Sequence, residues 1–255
     1  MSSSPSRSDL NCLSYWFPLL EAAGVPVPRT RIVKMPAAAQ ASIWAAFDGK
    51  DGTPEETAAM QAFLAQLRAA AQEIAAVVSG ERPAVFLRTG HTAGKHQWRD
   101  TCCVTDLDQL PWHMFRLAEH SEMADMMGLP WDTWVIREML PVDPIQTCPN
   151  YGDMPVVREF RFFVQDGQII CAHPYWPEEA LQEGGSAYPS ATCATLCRTD
   201  AMSEMISLAR MAGQAVPGAW SVDILESLNG LFVTDMAVAG DSFHWPGCAG
   251  AGLLT

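Results

Sequence analysis

The chain has 255 residues, 49% of them hydrophobic, and a formal net charge of −13. That length supports a sizeable core, as one large domain or two close lobes, and the acidic balance argues against a nucleic-acid-binding surface while leaving room for a locally basic cleft. No apolar run reaches the roughly 18 residues that span a bilayer, and the polar start MSSSPSRSDL lacks the apolar region of a signal peptide, so a cytosolic protein with no membrane partner is expected.

In chain order, residues 1–10 read as a disordered, Ser-rich tail. Tyr15 to Ala23 reads as a short helix with Gly24 at its C-terminal cap. Val25 to Val33 is an extended segment running into a strand, kept out of helix by Pro26 and Pro28. The Ala-rich stretch 36–50 fits no single pattern. Thr53 and Pro54 start a helix as N-cap and first helical residue. Met60, Phe63, Leu64, Leu67, Ala71 and Ile74 carry it with a 3.6-residue period to about Ser79.

Pro83 to Thr89 is the next strand, followed by a loop with two glycines and Lys95, and then by a strand at Cys102-Cys103-Val104. A helix begins near Pro111, with Met114, Leu117 and Ala118 on its apolar face. Trp134 to Leu140 is a strand ending at Pro141-Val142-Asp143-Pro144. Val156 to Trp176 holds two apolar runs around Asp166-Gly167, a strong hairpin signal. Pro177 to Thr199 reads as a lid or surface excursion, and Ala201 to Ala212 as a helix. Trp220 to Glu226 and Leu231 to Ala237 form a second hairpin turning at Asn229-Gly230.

Three constellations are candidates for chemistry. In the first hairpin, alternation puts Glu159, Arg161 and Phe163 on one face and Arg158, Phe160, Phe162 and Val164 on the other. A carboxylate and a guanidinium inside a sheet must be paired or must meet a ligand. In the loop after Arg88, backbone amides and Lys95 can receive phosphate. It is no true P-loop: three residues, not four, separate Gly90 from Gly94, and His96 stands where Ser or Thr would bind magnesium. A Gly-rich loop closing over phosphates and a plain turn with a solvated Lys both remain open. The third is the pair Asp223 and Asp235, with eleven residues between them, placed at similar height on neighbouring strands. Two close carboxylates repel unless a cation joins them, and magnesium bridging nucleotide phosphates is the usual one. Asp241, Ser242 and His244 stand close enough in sequence to extend that site. The eight cysteines form no repeated Cys-x2-Cys and the six histidines no pair at helical spacing, so zinc has a weak basis and the thiols read as free.

In order, these pieces resemble the ATP-grasp superfamily over residues 12–245, and most nearly its cell-division-cycle-type branch that assists assembly of translation initiation factor 2. Glu159-Phe160-Arg161-Phe162-Phe163-Val164 is similar to that branch's Glu-Phe-Arg-x-Phe-Val strand, Phe86-Leu87-Arg88 and Lys95-His96-Gln97-Trp98 to its Lys-bearing strand and loop, and Asp223 with Asp235 to its closing acidic pattern. The resemblance implies an α+β ATP-grasp fold whose two lobes clasp ATP, with residues 11–136 as the N-terminal region and first lobe and 137–255 as the second. It implies adenine against Glu138, Met139 and Leu140, phosphates facing Arg88 and Lys95, Arg161 near the γ-phosphate or the acceptor, and Mg2+ on Asp223 and Asp235. Asp143, Arg158 and Glu159 complete the implied nucleotide-binding set, and Arg161 and Lys95 are the implied catalytic pair. The implied activity is carboxylate–amine ligation through an acylphosphate, on a small-molecule, peptide or protein acceptor. A nucleotide-binding assembly factor without small-molecule turnover, or a scaffold that binds no nucleotide, are the other readings. Two departures bear on the choice: Arg88 replaces a Lys, and Ala237 replaces the Asn of an Asp-x-Asn pattern.

Overall fold

A computed structural model describes residues 7–77, 84–124, 128–176, 199–245 and 248. The fold is α+β, with helices and antiparallel sheets. The chain divides into two compact units: a continuous unit, Arg29–Met139, and a split unit, Met1–Pro28 with Leu140–Thr255. The lobes implied by the resemblance, 11–136 and 137–255, divide the chain nearly at the same C-terminal point and differ in where the N-terminal segment belongs. Among the described residues no helix is long and apolar enough to cross a membrane.

The split unit opens with α1 (Arg7–Asn11) and α2 (Leu13–Ala22). The expected tail at 1–10 therefore overlaps a helix from Arg7, and residues 1–6 lie outside the described residues. Gly24 follows α2 at φ +69°, the left-handed conformation that ends a helix without a Cβ clash.

The continuous unit contains β1 (Thr30–Lys34), α3 (Ala37–Phe47), α4 (Pro54–Val77), β2 (Val85–Thr89), β3 (Cys103–Val104), α5 (Leu110–Met123) and β4 (Thr133–Glu138). Its antiparallel sheet has the order β1-β4-β2-β3. A reciprocal cap starts α4: the Thr53 amide donates to Glu56 Oε2 at 2.8 Å, and the Glu56 amide donates to Thr53 Oγ1 at 3.3 Å. Phe63, Leu67, Ala71 and Ile74 of α4 pack with Leu110, Met114 and Leu117 of α5 and with Val85, Leu87, Trp134 and Ile136 from one sheet face. Phe86, Arg88, Val135 and Arg137 point to the other face, because side chains alternate along a strand. The ambiguous stretch 36–50 is mostly α3; only Ala39 and Ile43 of that helix are buried, too narrow a stripe to impose a visible period.

In the split unit, β5 (Gln146–Cys148) pairs with β6 (Met154–Val156). The main sheet has the order β10-β9-β7-β8, built from β7 (Glu159–Gln165), β8 (Gln168–Pro174), β9 (Ala219–Ser227) and β10 (Gly230–Val238). The β7–β8 hairpin turns at Asp166 (φ +49°) and Gly167 (φ +77°), as the Asp-Gly signal predicts. Gly218 N donates to Asp166 Oδ1 at 2.8 Å and Asp166 N to the Gly218 carbonyl at 2.9 Å, tying this turn to the start of β9. Helix α6 (Met202–Ala215) covers the sheet face that carries Val164, and a Cβ at Gly213 would lie 2.9 Å from Val164 Cγ2 and 3.1 Å from Gly167 N. The second hairpin turns at Leu228-Asn229, one residue earlier than expected, with Gly230 at φ +122° already paired to Ser227. Most of the expected 177–199 excursion, residues 177–198, lies outside the described residues.

Candidate functional site

The face of the split-unit sheet opposite α6 carries Glu159, Arg161, Asp223 and Asp235. Arg161 on β7 pairs in register with Asp223 on β9, and Asp223 with Asp235 on β10. Directly opposite residues share a face, so the three side chains converge. Arg161 holds Asp223 bidentately, Nε to Oδ1 at 2.7 Å and Nη2 to Oδ2 at 2.8 Å. The pair is largely removed from water, with side-chain exposures of 16% and 3%. Burial pulls the Arg161 pKa down, but the charge and hydrogen bonds of Asp223, with Tyr175 and Asp235 nearby, outweigh it and hold the pKa above its ordinary value. The guanidinium also lies 5.1 Å from the centroid of the Tyr175 ring and donates to the Phe243 carbonyl at 3.4 Å.

A bulge makes this convergence possible. Val233 pairs with Ile224, and Asp235 with Asp223, so Thr234 is the extra residue. An unbroken ladder would oppose Asp235 to Val222 and turn its carboxylate toward α6. The bulged Thr234 donates from Oγ1 to Glu159 Oε1 at 2.8 Å. Glu159 is 2% exposed, so this hydroxyl meets a carboxylate that water hardly reaches.

The chain after β10 crosses the same face. The His244 ring stacks on Phe163 at 3.5 Å. Ser242 Oγ lies 2.5 Å from Ser221 Oγ, and Ser221 is the residue opposite Ala237. Asp241 accepts from Asn11 Nδ2 at 2.7 Å. Magnesium favours hard oxygen donors and takes one or two protein carboxylates beside phosphate oxygens. Asp223 and Asp235, opposed on neighbouring strands, fit that donor chemistry, with Arg161 occupying both Asp223 oxygens.

In the continuous unit, Arg88 is 3% exposed and donates from Nε to the Thr89 carbonyl at 3.1 Å. Arg137 shares its sheet face, is equally buried at 3%, and donates to Thr30 Oγ1 at 3.1 Å. The sequence places Arg137 at a strand end, directly after the apolar run Trp134-Val135-Ile136, and assigns it no role of its own. Four amides of the loop after Arg88 are engaged within the unit: Gly90 on the Thr133 carbonyl, His91 and Thr92 on Thr89 Oγ1 at 3.2 and 3.0 Å, and Gly94 on Thr92 Oγ1 at 3.2 Å. Lys95 is half-buried at the head of a short 3-10 turn. Glu138 Oε1 accepts the Arg29 amide at 2.9 Å, which anchors the end of β4. Met139 and Leu140 are half-buried, and Asp143 is exposed. Arg158, half-buried just before β7, receives the Glu226 amide on its carbonyl at 2.9 Å. Tyr175, Thr234 and the Phe243 carbonyl join Arg161, Glu159 and Asp223 without having been singled out in the sequence.

Residues 76–237 match the model of an ATP-grasp domain family, the one numbered 3 within its clade, and the chain belongs to that family. Among solved structures, C-terminally truncated Cdc123 from Schizosaccharomyces pombe is similar at a TM-score of 0.55 and 12% identity, covering 91% of this chain and 84% of that one. Cdc123 from the same organism gives a TM-score of 0.53 and 13% identity over the same shares. Biotin carboxylase from Campylobacter jejuni, in its beta-gamma-ATP complex, gives 0.50 and 13% over 91% of this chain and 41% of that one. At these identities the likeness concerns the fold. No curated protein matches the chain.

Proposed function

We propose that the chain binds ATP with Mg2+ and uses it to activate a carboxylate as an acylphosphate for attack by an amine or similar nucleophile. The observation that carries this reading is the register triplet Arg161, Asp223 and Asp235 on one sheet face of a chain in an ATP-grasp family. Arg161 is the group assigned to the transferring phosphate, because a fixed guanidinium matches phosphate geometry and carries its charge at any working pH. Magnesium on Asp223 and Asp235 would neutralise phosphate charge when bound. Glu159, held by Thr234, keeps Arg161 and the acidic pair in a preorganised field. Arg88 and Lys95 are assigned to phosphates, Arg158 and Asp143 to the nucleotide, and Glu138, Met139 and Leu140 to the adenine. Catalysis on this reading is mainly positioning and charge neutralisation.

Asp235→Asn is the direct test. Calorimetric titration is expected to show magnesium-dependent ATP binding in the native chain and its loss in the variant; equal affinity in both would refute the metal assignment. One observation favours a second reading. Ala237 stands where the resembled branch has an Asn, so one metal-ligand oxygen is missing. That suits a nucleotide-binding assembly factor without small-molecule turnover. Phosphate release measured across a panel of carboxylate acceptors separates the two: ATP binding with no stimulated release supports the second.

A further inference from the structure

We propose that Cys171, His244 and Cys248 form a binding site for a soft metal ion of the zinc class, separate in its ligands from the proposed nucleotide site. Their ligand atoms lie within 4.8 Å of one another. Cys171 Sγ is 3.4 Å from His244 Nε2. Ligands at the usual zinc distances, placed at tetrahedral angles, would be about 3.6 Å apart for nitrogen and sulfur, so this pair needs little adjustment. Two thiols and an imidazole are a soft set that prefers zinc to magnesium or calcium. The site on Asp223 and Asp235 is all hard oxygen, so the two would not compete for the same ion.

The surroundings fit ligation. Cys171 lies on β8 opposite Phe163, the residue on which the His244 ring stacks. The Cys248 amide donates to the Trp245 carbonyl at 3.1 Å, which draws Cys248 back toward His244. Two residues along β8, on the same face as Cys171, stands His173. It is 7% exposed, its Nδ1 donates to the Pro174 carbonyl at 2.8 Å, and its buried Nε2 has no hydrogen-bond partner among the described residues. A histidine whose other nitrogen is fixed on a backbone carbonyl is the arrangement metal sites use, and a buried lone pair is costly without a partner. The His173 and His244 ring centroids are 6.0 Å apart. A metal here would tie β8 to the segment whose Phe243 carbonyl receives Arg161.

Binding would displace one proton from each thiol and leave two thiolates and a neutral imidazole on the ion. The test uses the full chain, reduced and stripped with a chelator, titrated with Co2+ and then with Zn2+ in competition. The expected result is one Co2+ per chain with sulfur-to-cobalt charge-transfer absorption, displaced by Zn2+. Cys171→Ser and Cys248→Ser should each diminish that absorption and weaken binding by more than about tenfold, with unchanged far-UV circular dichroism reporting intact folding. Three results would overturn the proposal: no charge-transfer absorption from the reduced native chain, native Zn2+ affinity in the double Ser variant, or a Cys171–Cys248 disulfide whose reduction gives no metal uptake.

Discussion

Asp223→Asn isolates the interaction at the centre of the site face. The substitution keeps the side chain's shape and one acceptor oxygen but removes the charge opposite Arg161, whose Nε and Nη2 both bond to it. Breaking one partner of a buried ion pair costs about 3–5 kcal/mol, because the remaining charge stays desolvated. The side-chain exposures of 3% and 16% place this pair in that class. Arg161 keeps the Tyr175 ring and the Phe243 carbonyl, so the lower end applies. A loss of about 3 kcal/mol corresponds to a folding equilibrium shifted roughly a hundredfold or more.

Arg161→Met should cost at least as much, since it strands a carboxylate that is only 3% exposed. The double variant should lose less than the sum of the two, by about 2 kcal/mol, because each single change has already removed the pair. Urea unfolding measures all three, with hydrogen exchange on the β7 and β9 amides locating the loss in this sheet. Additive single effects, or an Asp223→Asn cost under about 1 kcal/mol at an unchanged urea slope, would mean that the buried pair does not carry the energy assigned to it.

Gly213→Ala should lower stability by about 1–3 kcal/mol through overpacking, since the new methyl would sit 2.9 Å from Val164 Cγ2; an unchanged thermal midpoint would show that α6 shifts freely on the sheet. The pKa values of His113, His120, His173 and His244 are all lowered from 6.5, burial being the first cause in each. A lowered folded value means that the unfolded chain binds the proton more readily, so this stability is complete above about pH 6.5 and is lost as the pH falls from there through the folded values. Thermal midpoints should therefore be lower at pH 5.5 than at pH 7.5, and His113→Gln should flatten the slope; equal midpoints in the native chain would contradict the burial argument.

The local signals read well from sequence because they depend on neighbours. Asp166-Gly167 closes the first hairpin, and Thr53 with Glu56 caps α4. The site was legible in its residue types and only partly in its pairings. That Arg161 meets Asp223 follows from β9 lying beside β7, and no local pattern states which strands adjoin. That Asp235 faces Asp223 follows from one bulged residue, Thr234, invisible in an apolar alternation that either register satisfies. The engaged amides around Thr89 show the same limit: the spacing of Gly90 and Gly94 suggested a cradle, and one hydroxyl two residues from His91 uses two of its donors. Cys171, His244 and Cys248 carry no spacing motif because β8 and the segment after β10 bring them together from distant positions.

Ala237 separates binding from turnover more sharply than its place in the pattern suggests. Magnesium in nucleotide sites is held by one or two carboxylates, with phosphate oxygens and water supplying the rest. On the proposed reading Asp223 and Asp235 would meet that need without a third protein ligand, so an Ala in place of the Asn would weigh little against nucleotide binding. It weighs more against transfer, where a second metal or a fixed ligand must hold the phosphates in line with the acceptor. The residue facing Ala237 is Ser221, whose hydroxyl is 2.5 Å from that of Ser242. Each hydroxyl is thus already engaged with the other, and a neutral oxygen in that state is a weak substitute for an amide carbonyl. Restoring the oxygen with Ala237→Asn is therefore expected to leave ATP affinity within a few fold while raising acceptor-stimulated phosphate release. An increase in affinity alone, with release unchanged, would place the limitation in the acceptor side and favour the assembly-factor reading.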